Sequence, residues 1–269
     1  GASALDSNTS GIGNVATGYL ALGANTTANG NTAVGNCALL LTTTGAYNTA
    51  VGCRALDANT TGACNIAIGG NSLGANTTAS NNTAVGINSL CANTTGADNV
   101  AFGKEALLST TTGCRNTAIG LGAIKCSVTG LRNTGVGYGS LATTTANNNS
   151  ALGYDSLILN TSGGDNVAIG HCSLRANTTA SNNTAVGSYS LQANTTGEGN
   201  TSIGLSSLGG TTTGAYNVGV GANAGLSQTT GGNNVFVGDS SGRCSTTGCK
   251  NTAVGSGALY GAGGSGTVM

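Results

Sequence analysis

The sequence predicts an all-β fold, a parallel β-solenoid (β-roll) of about 15 rungs on a 17-residue repeat. Three observations carry that prediction. The first is recurrence. The pattern Asn-x-small-aliphatic-Gly returns at Asn14, Asn31, Asn48, Asn65, Asn82, Asn99, Asn116, Asn133, Asn149, Asn166, Asn183, Asn200, Asn217, Asn234 and Asn251, always 17 residues apart except for 16 between Asn133 and Asn149. Such a unit is too short for a helix pair, an ankyrin unit or a propeller blade, and suits one turn of a solenoid. The second is composition: 48 Gly, no Pro, no Trp and two Phe in 269 residues cannot fill a wide core, whereas a thin stacked one needs little volume. The third is period. Within N-T-A-V-G, successive side chains alternate between two faces, and the residue after the Asn is Thr, Ser, Val or Ile, types that suit a pleated strand.

Taken in chain order, residues 1–13 read as an N-terminal partial rung, 14–260 as the repeat array, and 261–269 as a Gly-rich C-terminal tail. With the Asn as position 0, position 3 is aliphatic or Phe in 14 of 15 rungs, and position 8 is Leu in 12 and Ile124 in another. These two columns are the expected core. Gly225 and Gly242 interrupt the second of them. Positions 2 and 7 stay Ala, Ser or Gly nearly throughout, with Phe236 as an exception, so they are expected to form a smooth outer face. Position 4 is Gly in all 15 rungs and marks a bend. The short rung is expected to absorb its deletion around residues 143–147, keeping Leu141 and Leu152 in the core columns.

Stacking sets each position over its counterpart about 4.8 Å away. The position-0 Asn then forms a hydrogen-bonded ladder, and Asp98 and Arg115, both at position 16, fall within reach of each other. Burying one aliphatic and one Leu per rung offsets little of the conformational entropy lost in ordering 17 residues. A lone thin solenoid is therefore under-supported. The small columns at positions 2 and 7 are the expected contact with further copies, in a trimer or a filament.

Composition also excludes function classes. Eight basic and eight acidic residues give zero net charge, without the electrostatic footprint of a nucleic-acid or anionic-membrane binder. Neither a signal peptide nor a run apolar enough for membrane insertion is present in the sequence. The single His171 has no orienting carboxylate and nucleophile in its rung. The carboxylates are scattered, no phosphate loop occurs, and no cysteine spacing fits zinc. The expectation is a non-enzymatic protein without catalytic residues, metal or cofactor.

The units N-T-A-V-G-x-x-A-L and N-V-A-I-G-x-x-S-L resemble the head repeats of trimeric autotransporter adhesins. They are similar also to the T-T-G-x-x-N-T-A-V-G-x-x-A-L repeats of fibre-like surface proteins of phages, giant viruses and bacteria. The resemblance spans about residues 10 to 260. It implies left-handed parallel β-rolls, three chains side by side, in a fibre that often ends in a self-cleaving chaperone. The 17-residue unit departs from the adhesin heads, whose repeat is shorter, and no stalk, anchor or chaperone is visible in this sequence.

Nine cysteines offer three candidate disulfides: Cys244 with Cys249, Cys114 with Cys126, and Cys37 with Cys53. Such bridges imply an oxidising, extracellular setting. Asn-x-Ser/Thr triplets make Asn25, Asn59, Asn76, Asn93, Asn160, Asn177 and Asn194, all at position 11, candidate glycosylation sites. The reading is a structural fibre or shaft protein of a cell-surface or virion appendage, adhesive toward a host-surface receptor or glycan. A self-assembling extracellular filament subunit is the alternative. An ice-binding solenoid is a lesser one, because the Thr pair at positions 12 and 13 is adjacent in sequence and so not on one face.

Overall fold

The computed structural model describes residues 1–261, and among these it contains fifteen three-residue strands and no helix. They fall into two compact units, one of residues 1–133 and one beginning at Thr134. The first holds β1 (Val15–Thr17), β2 (Thr32–Val34), β3 (Thr49–Val51), β4 (Ile66–Ile68), β5 (Thr83–Val85), β6 (Val100–Phe102) and β7 (Thr117–Ile119). The second holds β8 (Thr134–Val136), β9 (Ser150–Leu152), β10 (Val167–Ile169), β11 (Thr184–Val186), β12 (Thr201–Ile203), β13 (Val218–Val220), β14 (Val235–Val237) and β15 (Thr252–Val254). Within each unit every strand pairs in parallel with the next, at the same repeat position, as in Ala33↔Ala50 and Ala168↔Ala185. This is the expected β-solenoid. Of the expected tail, all but Gly261 lies outside the described residues.

The short rung absorbs its deletion in the expected loop. Thr134 pairs with Ser150, and the Thr145 amide donates to the Thr161 carbonyl at 2.8 Å, so register survives up to Thr145. The missing residue is taken out between there and Asn148, where the left-handed backbone of position 16 resumes at φ 60°.

The sense of the strand is the reverse of the expected one. Ala33, at the strand centre, is fully buried, whereas Val34 is 37% exposed; Leu152, expected in the core, is 48% exposed. The alternation is real, but the small residue points in and the aliphatic one out. The reason is the width of the roll. The Leu column reaches across to the strand, and a methyl group placed on Gly219, at a strand centre, would lie 2.7 Å from Leu208 Cγ. With Leu filling the interior from one wall, the opposite wall has room only for Ala, Ser or Gly. The smallness of positions 2 and 7 thus belongs to the core and not to a subunit contact. Ser72 shows how the hydroxyls are tolerated there, donating to the Gly69 carbonyl at 3.0 Å.

The second wall stacks by the same hydrogen bonding without strand geometry. The Leu22 amide donates to the Ala38 carbonyl at 3.0 Å and the Leu56 amide to the Ser72 carbonyl at 3.0 Å. Yet the Leu column and Ile124 sit at φ 47–55°, and two residues earlier Cys37, Arg54 and Asn71 sit at 55–57°. Left-handed residues cost about 1–2 kcal/mol each, and cooperative stacking holds them. They let Leu turn inward from a wall barely four residues wide. At position 4 the requirement is stricter. Gly52 has φ 139°, and a Cβ there would lie 2.6 Å from the Gly69 carbonyl oxygen of the next rung.

Two asparagine columns run inside the stack. In the expected one, Asn48 donates its amide N–H to Asn31 Oδ1 at 2.8 Å, and its Nδ2 donates to the Gly62 carbonyl at 2.9 Å. The second column, at position 11, is equally buried. Asn76 Nδ2 donates to Asn59 Oδ1 at 2.9 Å, and Asn93 Nδ2 to Asn76 Oδ1 at 3.0 Å. This column is broken where Thr42, Thr110 and Thr211 replace Asn, and the last Oδ1 before each break, on Asn25, Asn93 and Asn194, has no partner. A buried unmet acceptor costs about 1–3 kcal/mol. Thr42→Asn is therefore expected to raise stability by about 1 kcal/mol, since the introduced amide reaches Asn25 Oδ1 and accepts from Asn59. Thermal denaturation against the parent checks it.

One core irregularity is compensated. Phe236 occupies a strand centre where other rungs carry Ala, and it is fully buried. A methyl placed on Gly225 would lie 2.6 Å from Phe236 Cδ2, and one on Gly242 would overlap the same ring. The benzyl group occupies space that two leucines fill elsewhere.

Candidate functional surfaces

The outward strand positions form the most distinctive surface in both units. Every one is Thr, Ser, Val, Ile, Leu or Phe, and none is charged. Ile68 and Ile119 are 40% exposed and Phe102 is 55% exposed in the first unit; Ile203 is 42% exposed in the second. Six strand spacings of about 4.8 Å make the first unit's face about 29 Å long. An uncharged, largely aliphatic face of this kind is a candidate association surface.

The threonine pair is divided by the fold. At position 12 the hydroxyl donates to the main chain of the next rung, Thr60 Oγ1 to the Thr77 carbonyl at 3.0 Å and Thr195 Oγ1 to the Thr212 carbonyl at 3.0 Å. Those hydroxyls are thereby engaged with the main chain, and the position-13 side chains are the more exposed of the pair.

The seven position-11 asparagines face inward, which corrects their assignment as glycosylation sites. Asn25, Asn59, Asn76, Asn93, Asn160, Asn177 and Asn194 are all fully buried. The Nδ2 that would carry a sugar donates instead to the carbonyl three residues on, as in Asn59 to Gly62 at 3.0 Å and Asn160 to Gly163 at 2.8 Å. The triplets open to solvent are at Asn8, Asn81, Asn148 and Asn182. Spacing marked the column; only the inward turn of the backbone decides which triplets are reachable.

All nine cysteines are free thiols, including Cys37, Cys53, Cys114, Cys126, Cys244 and Cys249 of the three candidate pairs. Cys114 and Cys249 have another role. At position 15 their sulfurs accept the amide N–H of the preceding rung, from Ala97 and Gly232, each at 3.4 Å. Ser80 Oγ does the same for the Ala63 amide at 3.0 Å. Burial raises the Cys172 and Cys91 thiol pKa values, which favours the protonated thiol at both.

The charged groups sit away from the strand face. Asp98 and Arg115 meet as expected, at 3.8 Å, and Asn81 Nδ2 donates to Asp98 at 3.3 Å. Glu105 pairs with Lys125 at 2.7 Å, and this bond holds its carboxyl pKa below the usual value. Exposed pairs of this sort tune register more than they stabilise.

An aromatic ladder went unnoticed in the sequence. Tyr138 and Tyr154 stack at 5.2 Å and 11°, Tyr154 and His171 at 5.4 Å and 19°, and Tyr189 closes on His171 edge-on at 5.0 Å. Tyr138, Tyr154 and His171 share position 5 once the short rung is allowed for, and that was the available signal. His171 Nε2 lies 3.7 Å from Cys172 Sγ. The imidazole is thus a rung of a stack. No family model, no curated protein and no solved structure matches this chain.

Proposed function

We propose that this chain is a structural, non-enzymatic shaft segment of an extracellular fibre, on a cell surface or virion, that packs against further copies of itself as a trimer or filament. The observation that carries the reading is the uncharged, aliphatic outward face of the strands. A solenoid with a Leu–Ala interior buries little apolar area per rung, and covering the outer aliphatic column with a second copy roughly doubles it. Two internal Asn columns and in-register stacking give the stiffness that a shaft requires. The resemblance to fibre repeats points the same way. Sedimentation of the purified chain tests it: a mass of two or more times 25.6 kDa at micromolar concentration is expected, and a monodisperse 25.6 kDa species overturns the reading.

A further inference from the structure

We propose that a notch over Gly139, in the second unit, binds a protonated primary alkylamine through the carboxylate of Asp155. Asp155 is only 9% exposed, yet its Oδ1 has no hydrogen-bond partner. The oxygen points at the place of an absent side chain, since a Cβ built on Gly139 of the preceding rung would lie 2.8 Å from it. The same column shows what belongs there. In the first unit Asn71 and Asn88 occupy the equivalent positions of adjacent rungs, and Asn71 Nδ2 donates to Asn88 Oδ1 at 3.1 Å. At Gly139 the donor is missing while the acceptor, now a carboxylate, remains.

The lining selects the class of donor. Beside the vacant Cβ position stands Ile158 Cδ1, 3.4 Å away, an apolar wall. Tyr138 and Tyr154, the residues directly before Gly139 and Asp155, are stacked and about half exposed. One carboxylate oxygen with a methyl group beside it is too few ligands for a hard divalent cation, which takes six or more oxygens. It suits an ammonium head with an alkyl stem: a charge-assisted N–H···O bond to Asp155, with the methylenes against Ile158. A lysine side chain of a partner and a free alkylamine carry the same group. The inference does not depend on self-association.

The test titrates the full chain with n-butylammonium chloride and follows the amide resonances of Gly139 and Asp155, with tetramethylammonium as a cation lacking N–H. A saturable shift with butylammonium alone is expected. Asp155→Asn should weaken it at least tenfold. Gly139→Asn, which restores an internal donor at a left-handed φ of 61° that Asn tolerates, should abolish it and raise the melting temperature. Circular dichroism reports the fold of each variant. The proposal is overturned if no saturable shift develops, if tetramethylammonium binds equally, or if either variant binds as the parent does. Once binding is established, Nα-acetyl-lysine methylamide in place of butylammonium separates a protein lysine from a free amine as the source.

Discussion

Phe236→Ala should cost about 3–5 kcal/mol, the usual range for emptying a buried aromatic site. The loss should appear first in the rungs of β13 to β15, because a repeat stack is stabilised mainly by nearest neighbours and opens locally. The informative step is the rescue. Gly225→Leu alone should destabilise the parent by about 1–3 kcal/mol, because its side chain meets the Phe236 ring. In the Phe236→Ala background the same change should stabilise. Gly225 and Gly242 have φ 59° and 60°, near the 47–55° of the Leu column, so leucine fits their backbone. Hydrogen exchange of the β13–β15 amides, compared across the four variants, checks it. Effects of equal sign in both backgrounds would contradict the shared-volume account.

Asn183→Ala should also destabilise, although it removes no apolar group. Asn183 accepts from the Asn200 amide at 2.9 Å and from Asn200 Nδ2 at 3.2 Å, and its own Nδ2 donates to the Gly197 carbonyl at 3.0 Å. Alanine leaves the buried Asn200 amide unmet, at about 1–3 kcal/mol, while the Gly197 carbonyl keeps its bond from Asn194 Nδ2 at 2.9 Å, so a loss of about 1–3 kcal/mol is expected. Thr184→Ala, one residue on but facing outward, should change stability by less than about 0.5 kcal/mol. Denaturation of the two variants side by side separates an internal polar spine from mere surface repetition.

Architecture was legible because the repeat is nearly uniform: fifteen returns of Asn-x-small-aliphatic-Gly fix the rung length, the parallel register and the bend at each Gly. The Asn ladder and the Asp98–Arg115 contact followed from stacking alone. Which strand face points inward did not follow. Period two gives alternation without sign, and the larger residue was assigned to the core on hydrophobicity, whereas the interior width is set by Leu from the opposite wall. That wall was illegible in turn because alternate residues such as Cys37 and Leu39 are left-handed, so neither a helical nor a strand period describes it. The same hidden geometry concealed the inward turn at Asn59 and the unmet oxygen of Asp155. Phe236 and its two flanking glycines were visible as exceptions, but only packing shows that they are one feature.

The inverted face carries the functional reading, and charge on it is the most direct probe. Ile68→Lys, Phe102→Lys and Ile119→Lys lie on the outward strand face of one unit, at residues 40–55% exposed, so they leave the Leu–Ala interior intact. Sedimentation of this triple variant beside the parent, with circular dichroism to confirm the β signal, should show the parent's assembly reduced to a folded 25.6 kDa monomer. A folded triple variant that keeps the parent's assembled mass would contradict the assignment of the outward strand face as the contact between copies.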